Sequence, residues 1–212
     1  MMKKSIKKSI ATIGVLTLIA LLPISCGVVC SDPCGCGPRF EVKDFTILSF
    51  ETLSLTKAGQ RVNPSTPLPY RDIFKAFRIL DTQTLSLNNE KNGLGSLGLA
   101  YACSPESPKS KDLMTGIQIL NSKEVILGDG RILEVGDDIT DFFEINYFFT
   151  ESTSPFEVFF KAPLEVYRDD LFKLGWKENP GKEVVLEFSL RIFFTNNKEF
   201  NLNNEVFAIR EF

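Results

Sequence analysis

Between Val184 and Phe194 the chain alternates: Leu186, Phe188, Leu190, Ile192 and Phe194 are separated by Glu187, Ser189, Arg191 and Phe193. A period of two belongs to the extended chain, whose side chains point to opposite faces in turn. This stretch therefore reads as a β-strand with one buried face. Directly after it comes "TNNKEF". Asparagine tolerates the positive φ that a tight hairpin turn demands, so Asn196 and Asn197 predict that the strand turns back on itself.

Other short apolar runs, with turn residues between them, repeat the signal: "FEVKDFTILSF", "LGLAYAC", "MTGIQIL", "FEVFF" and "EVFAIREF". "LGDGRIL" predicts a second hairpin, with Gly128, Asp129 and Gly130 at its tip. "YRDIFKAFRIL" satisfies two periods. Ile73, Phe77 and Leu80 suit one side of a helix, whereas Ile73, Phe77 and Ile79 suit one face of a strand, and we read it as a strand. Many short strands and little helix predict an all-β fold, an immunoglobulin-like antiparallel β-sandwich. From Phe40 onward roughly 170 residues remain, a natural size for a single β-sandwich domain over residues 40–212.

The N-terminus carries a different message. Residues 1–8 hold four lysines and no acid, and a mostly apolar run follows from Ile10 to Ile24. That run has the length of a secretory h-region and is short for a membrane span. It ends in "LLPISC", where small Ser25 precedes Cys26. The arrangement resembles the bacterial lipobox, with Pro23 standing where leucine is usual and Leu22 one place earlier. The resemblance implies a lipoprotein signal peptide over residues 1–25, cleavage before Cys26, and fatty acyl chains such as palmitate on that cysteine. Cys30, preceded by "GVV", is the alternative acceptor, farther from the apolar run. Several acyl chains, each contributing about 0.8 kcal/mol per buried CH₂, would anchor the protein stably to a bilayer. Residues 26–39, rich in Cys, Gly and Pro, read as a tether.

With Cys26 committed to the anchor, Cys30, Cys34, Cys36 and Cys103 remain. An even number in an oxidising compartment suits disulfides, and four cysteines allow three pairings between which sequence cannot choose. A zinc or iron–sulfur reading would want paired C-x-x-C elements, and histidine is absent from the whole chain. The lipobox, the Cys-rich stub, "AYACSP", "GIQILNS" and "EFSLRIFFTNNKEF" together resemble an uncharacterised family of cell-envelope lipoproteins. Its members are Gram-negative precursors of about 200 residues, labelled as a domain of unknown function. The resemblance implies an envelope location and a sandwich fold, and brings no catalytic residue with it.

Composition narrows the function. The absence of histidine excludes Ser-His-Asp and Cys-His catalysis and the common zinc hydrolase sites. Loss of the leader's four lysines would take the formal charge from −3 to −7, which argues against a nucleic-acid partner. No cofactor is expected.

Three local motifs carry competing readings. Residues 93–98, "GLGSLG", match G-x-G-x-x-G, yet polar "NNEKN" precedes them and Pro105 soon follows, so they read as a loop. Asp129, Glu134, Asp137, Asp138, Asp141 and Glu144 form the densest carboxylate run. Asp137, Asp138 and Asp141 are the calcium candidates, although the twelve-residue calcium loop is missing, and Asp138 and Asp141 also suit turn and capping positions around "DITDFF". Trp176 in "KLGWKENPG" is either a stacking platform for a glycan or a plug closing one end of the sandwich.

Residues 142–160 hold seven of the chain's nineteen phenylalanines. In an extended chain each doublet, 142/143, 148/149 and 159/160, puts one ring on each face. One ring of each can enter the core; its neighbour needs cover from a loop, the tether or another molecule. The expected function is a lipid-anchored envelope binding or accessory module that meets the membrane through its lipid and a protein or glycan through its loops. The expected location is a bacterial membrane, the outer one by preference, with the leaflet open. The alternatives are a structural subunit of a surface fibre or envelope complex joined by strand addition, and, last, a carboxylate-based glycan hydrolase.

Overall fold

Alternation becomes structure at once in residues 184–194, where every even-numbered residue from Val184 to Phe194 is buried along a single strand. In the computed structural model, which describes residues 44–85 and 107–212, ten strands follow one another. They are β1 (Phe45–Thr56), β2 (Leu68–Pro69), β3 (Ile73–Thr84), β4 (Met114–Asn121) and β5 (Val125–Ile126). After them come β6 (Ile132–Leu133), β7 (Phe143–Tyr147), β8 (Leu171–Trp176), β9 (Val184–Phe194) and β10 (Glu199–Arg210). The signal peptide, the tether, Cys26, Cys30, Cys34, Cys36, Cys103, the glycine run at 93–98 and the "LGLAYAC" run lie outside the described residues.

Two four-stranded sheets form, in the orders β1-β3-β8-β7 and β2-β10-β9-β4. All pairings are antiparallel except the two-residue contact of β2 with β10. Counting the seven long strands A to G along the chain, the sheets are A-B-E-D and G-F-C, the immunoglobulin arrangement. The β5–β6 hairpin occupies the connection between C and D. Its tip is tied down by a close approach of backbones: Gly128 N donates to Pro180 O at 2.7 Å. A Cβ on Gly128 would sit 2.5 Å from the Gly181 backbone, so that position requires glycine.

Between the sheets lies an aromatic core. Phe50 meets Phe194 at 6.0 Å, and Phe143 meets Phe188 at 5.7 Å and Phe207 at 6.0 Å, each pair joining one sheet to the other. Fully burying a ring of this size stabilises by about 1.5–3 kcal/mol, so these contacts contribute, with the buried aliphatic side chains around them, to the adhesion of the two layers. A second, smaller cluster covers the outer face of the first sheet. There the chain after β7 folds back, Phe148 N donates to Leu171 O at 2.7 Å, and Phe148 packs with Leu55 and Ala76.

The residue-level expectations fare unevenly. "YRDIFKAFRIL" is strand, and Asn196 and Asn197 both take positive φ in the β9–β10 turn. "FEVFF" is not a strand: Phe156–Phe159 form a single helical turn, α1. Pro155, with φ fixed at −55°, enters that turn, and Phe156 and Phe160 stack at helical spacing.

Candidate functional site

The parity that makes β3 a strand also turns Lys75 inward, between Ile73 and Phe77 on the core-facing side. Its opposite number on β1 is Ser54, and the next inward pair is Thr52 with Phe77. A carboxylate reaches this place from the other sheet because of a bulge. In β10, Leu202 faces Leu190 and Glu205 faces Phe188, so three residues of β10 advance against two of β9. The extra residue reverses parity, and Glu205 joins Phe207 and Ile209 on the inward face. Asn204 accommodates the bulge at φ 60°, in the left-handed region that asparagine tolerates.

Lys75 Nζ lies 2.6 Å from Glu205 Oε2, with the two side chains only 4% and 15% exposed. Nζ also donates to Val206 O at 3.2 Å, and the Thr52 hydroxyl donates to Glu205 Oε2. Around this ion pair opens a cleft of about 330 Å³, between β1, β10 and the connection running through Arg61, Val62 and Pro64. That connection is fixed at both sheets: Val62 N donates to Ser54 O at 3.0 Å, and Ala208 N to Pro64 O at 3.0 Å. Ser54 lines the cleft at 6% exposure, and its Oγ has no hydrogen-bond partner. Arg61 stands exposed at the rim, with no ion-pair partner among the described residues.

Sequence reasoning named none of these residues. The signal was nevertheless there: reading Ile73, Phe77 and Ile79 as one face of a strand places Lys75 on that same face. The bulge that turns Glu205 inward has no comparable mark.

The residues singled out from sequence lie elsewhere. Trp176 is 4% exposed at the end of β8, stacked on Phe142 at 5.2 Å and edge-on to Phe143 at the same distance. It fills the core and presents no open platform, which corrects the glycan-stacking reading. The calcium candidates are engaged in turns. Asp137 Oδ2 accepts from Glu134 N at 2.7 Å. Asp138 accepts from Thr140 N at 3.0 Å, from the Thr140 hydroxyl, and from Gln118 Nε2 at 2.8 Å. Burial opposes ionisation of Asp138, and these hydrogen bonds outweigh it, holding its carboxyl below the usual range. Asp138 and Asp141 share a shallow groove with Gln118 and Phe193, and no grouping able to hold a metal ion occurs among the described residues.

The phenylalanine doublets are mostly covered from within. Phe143 is core and Phe142 lies on Trp176; Phe148 covers the outer cluster, while Phe149 is 87% exposed. Phe159 and Phe160 are half-buried against the core. Parts of the sheet edges are occupied as well. On β1, Phe45 O accepts from Lys111 N and Ile47 O from Lys198 Nζ, with an irregular register between Ile47 and Phe50. Ser154 bridges β7 at Ile145, and Leu164 and Asp138 bridge the two ends of β4.

No protein-family model matches the chain, and no curated protein matches it. Among solved structures it is similar to the C-terminal domain of the Streptococcus agalactiae antigen I/II polypeptide BspA, at 11% identity and a TM-score of 0.25. That match covers 76% of this chain and 49% of the other. The C-terminal domain of the Streptococcus pyogenes antigen I/II-family protein AspA is similar at 15% identity and a TM-score of 0.25, over 77% of this chain and 46% of its own. The chain thus spans about half the length of these structures, and the scores are those of a loose likeness.

Proposed function

We propose that the protein is a lipid-anchored module of the bacterial cell envelope that binds a ligand in the cleft between β1 and β10. The observation that carries the binding part is the polar cluster of Lys75, Glu205 and Ser54 in the otherwise apolar layer between the sheets. Replacing a buried ion pair by apolar residues of similar volume is often neutral or stabilising. A fold gains little from such a cluster, which suits retention for recognition. The anchoring part rests on the lipobox resemblance at Cys26 and on the resemblance to envelope lipoproteins.

Binding is preferred to strand addition because parts of the edges of β1, β7 and β4 already carry backbone or side-chain partners. It is preferred to hydrolysis because Glu205 is the cleft's one carboxylate among the described residues and is held by Lys75, whereas glycoside hydrolysis ordinarily uses two.

Two measurements test the proposal. Cells fed a clickable fatty acid should label the wild-type protein, and Cys26→Ser should abolish the label; label persisting in that variant would move or remove the anchor. Fragment soaking of crystals of the protein should concentrate occupied sites in the cleft; fragments scattered over the surface with the cleft empty would refute it as the binding site.

A further inference from the structure

Resting on the reading of the cleft as a binding site, we propose that its ligand is an uncharged, hydroxyl-rich ring of monosaccharide size, the terminal sugar of a glycan. Size gives the first constraint. At about 330 Å³ the cleft stands at the small end of ligand sites, which commonly run from about 300 to 1,000 Å³. A single ring fits it; a folded peptide does not.

The polar groups give the second. Ser54 Oγ can both donate and accept and does neither within the protein. Glu205 commits Oε2 to Lys75 and Thr52, and Oε1 forms no hydrogen bond among the described residues. An ammonium has three N–H bonds, and Lys75 directs them to Glu205 and Val206, leaving one. The cleft therefore offers an acceptor and a donor at its floor and, opposite Lys75, a buried unpartnered hydroxyl that is both. A sugar hydroxyl, which donates and accepts at once, answers that set, and two neighbouring hydroxyls answer it together.

Charge gives the third constraint. Lys75 and Glu205 neutralise each other at 2.6 Å, so the floor offers no net charge to a ligand ion, and the remaining charge of the lining, Arg61, stands exposed at the rim, where solvent and salt screen it. A ligand carboxylate would meet Glu205 and a ligand ammonium would meet Lys75, each with like-charge repulsion in a poorly solvated place. Val62 and Pro64 supply aliphatic surface for the C–H face of a ring. The Ser54 hydroxyl is the second, independent mark of a ligand at this cleft, because a buried polar group without a partner costs stability and wants an explanation.

The test is saturation-transfer NMR on the full chain in a zwitterionic detergent free of sugar. The probes are methyl glycosides of glucose, galactose, mannose and N-acetylglucosamine, with glycine, succinate and butylammonium as charged controls. The expected result is saturation of at least one glycoside and none of the controls. Ser54→Ala, which deletes an unpaired hydroxyl, should weaken that glycoside by about 3- to 10-fold while the melting temperature holds or rises. Glu205→Gln, which keeps an acceptor in place, is measured beside it. Preference for a charged control, abolished by the same variants, would overturn the sugar while leaving the cleft a binding site. Silence from every probe would overturn both readings, and glycoside binding indifferent to both variants would place the sugar elsewhere.

Discussion

Lys75 occupies a place that Ile73, Phe77 and Ile79 would otherwise keep apolar. Taking its ammonium out of water costs several kcal/mol, and Glu205 offsets that cost only while both partners are present. Glu205→Ala should therefore destabilise the protein by about 3–5 kcal/mol, much more than removal of an exposed ion pair such as Lys123–Glu187. Urea unfolding of the two truncations, Glu205→Ala and Glu187→Ala, checks the contrast; equal losses would mean that the Lys75 pair is effectively solvated. Some of this was legible. The alternation in residues 73–79 places the lysine inward, but an apolar count passes over a charged residue, and only the partner strand shows what neutralises it. Trp176 carried two readings, a glycan platform and a plug for one end of the sandwich, and the rings of Phe142 and Phe143 enclose it.

At the scale of the element, the β10 bulge decides whether the cleft exists. Asn204 at φ 60° should accept glycine at no cost, while Asn204→Val should lose about 1–2 kcal/mol, the penalty of a left-handed β-branched residue. Thermal melts of the two variants measure it, and a tolerated valine would show that the backbone does not need this conformation. The chain after β7 permits a second contrast. Phe148→Ser should cost about 2–4 kcal/mol by uncovering the outer cluster, whereas Phe149→Ser should stay within about 0.5 kcal/mol. Equal effects in denaturant titrations would mean that the two rings share the work of covering that face. The eleven residues of β9 were readable from period alone, and both hairpin tips from their turn residues, whereas twelve-residue β3 satisfied a helical and an extended period alike. "FEVFF" was not readable, because five residues are too few to separate a period of two from 3.6, and Pro155 settles the matter locally.

For the whole molecule, the long strands reproduce the immunoglobulin order, and their inward faces build an aromatic layer interrupted, among the described residues, at one place by charge. Such an interruption has two physical explanations: it fixes the register of the two sheets, or it serves a ligand at some cost in stability. A binding cleft between β1 and β10 requires the second. The direct measurement is the unfolding free energy of the double variant Lys75→Met with Glu205→Leu, which keeps side-chain volume and removes both charges. If the pair serves a ligand, the variant should lie within about 1 kcal/mol of wild type, or be more stable, with the same circular dichroism spectrum. A loss of several kcal/mol, or a spectrum without the β signature, would show that the pair is there to hold the sheets together and would contradict a role in binding.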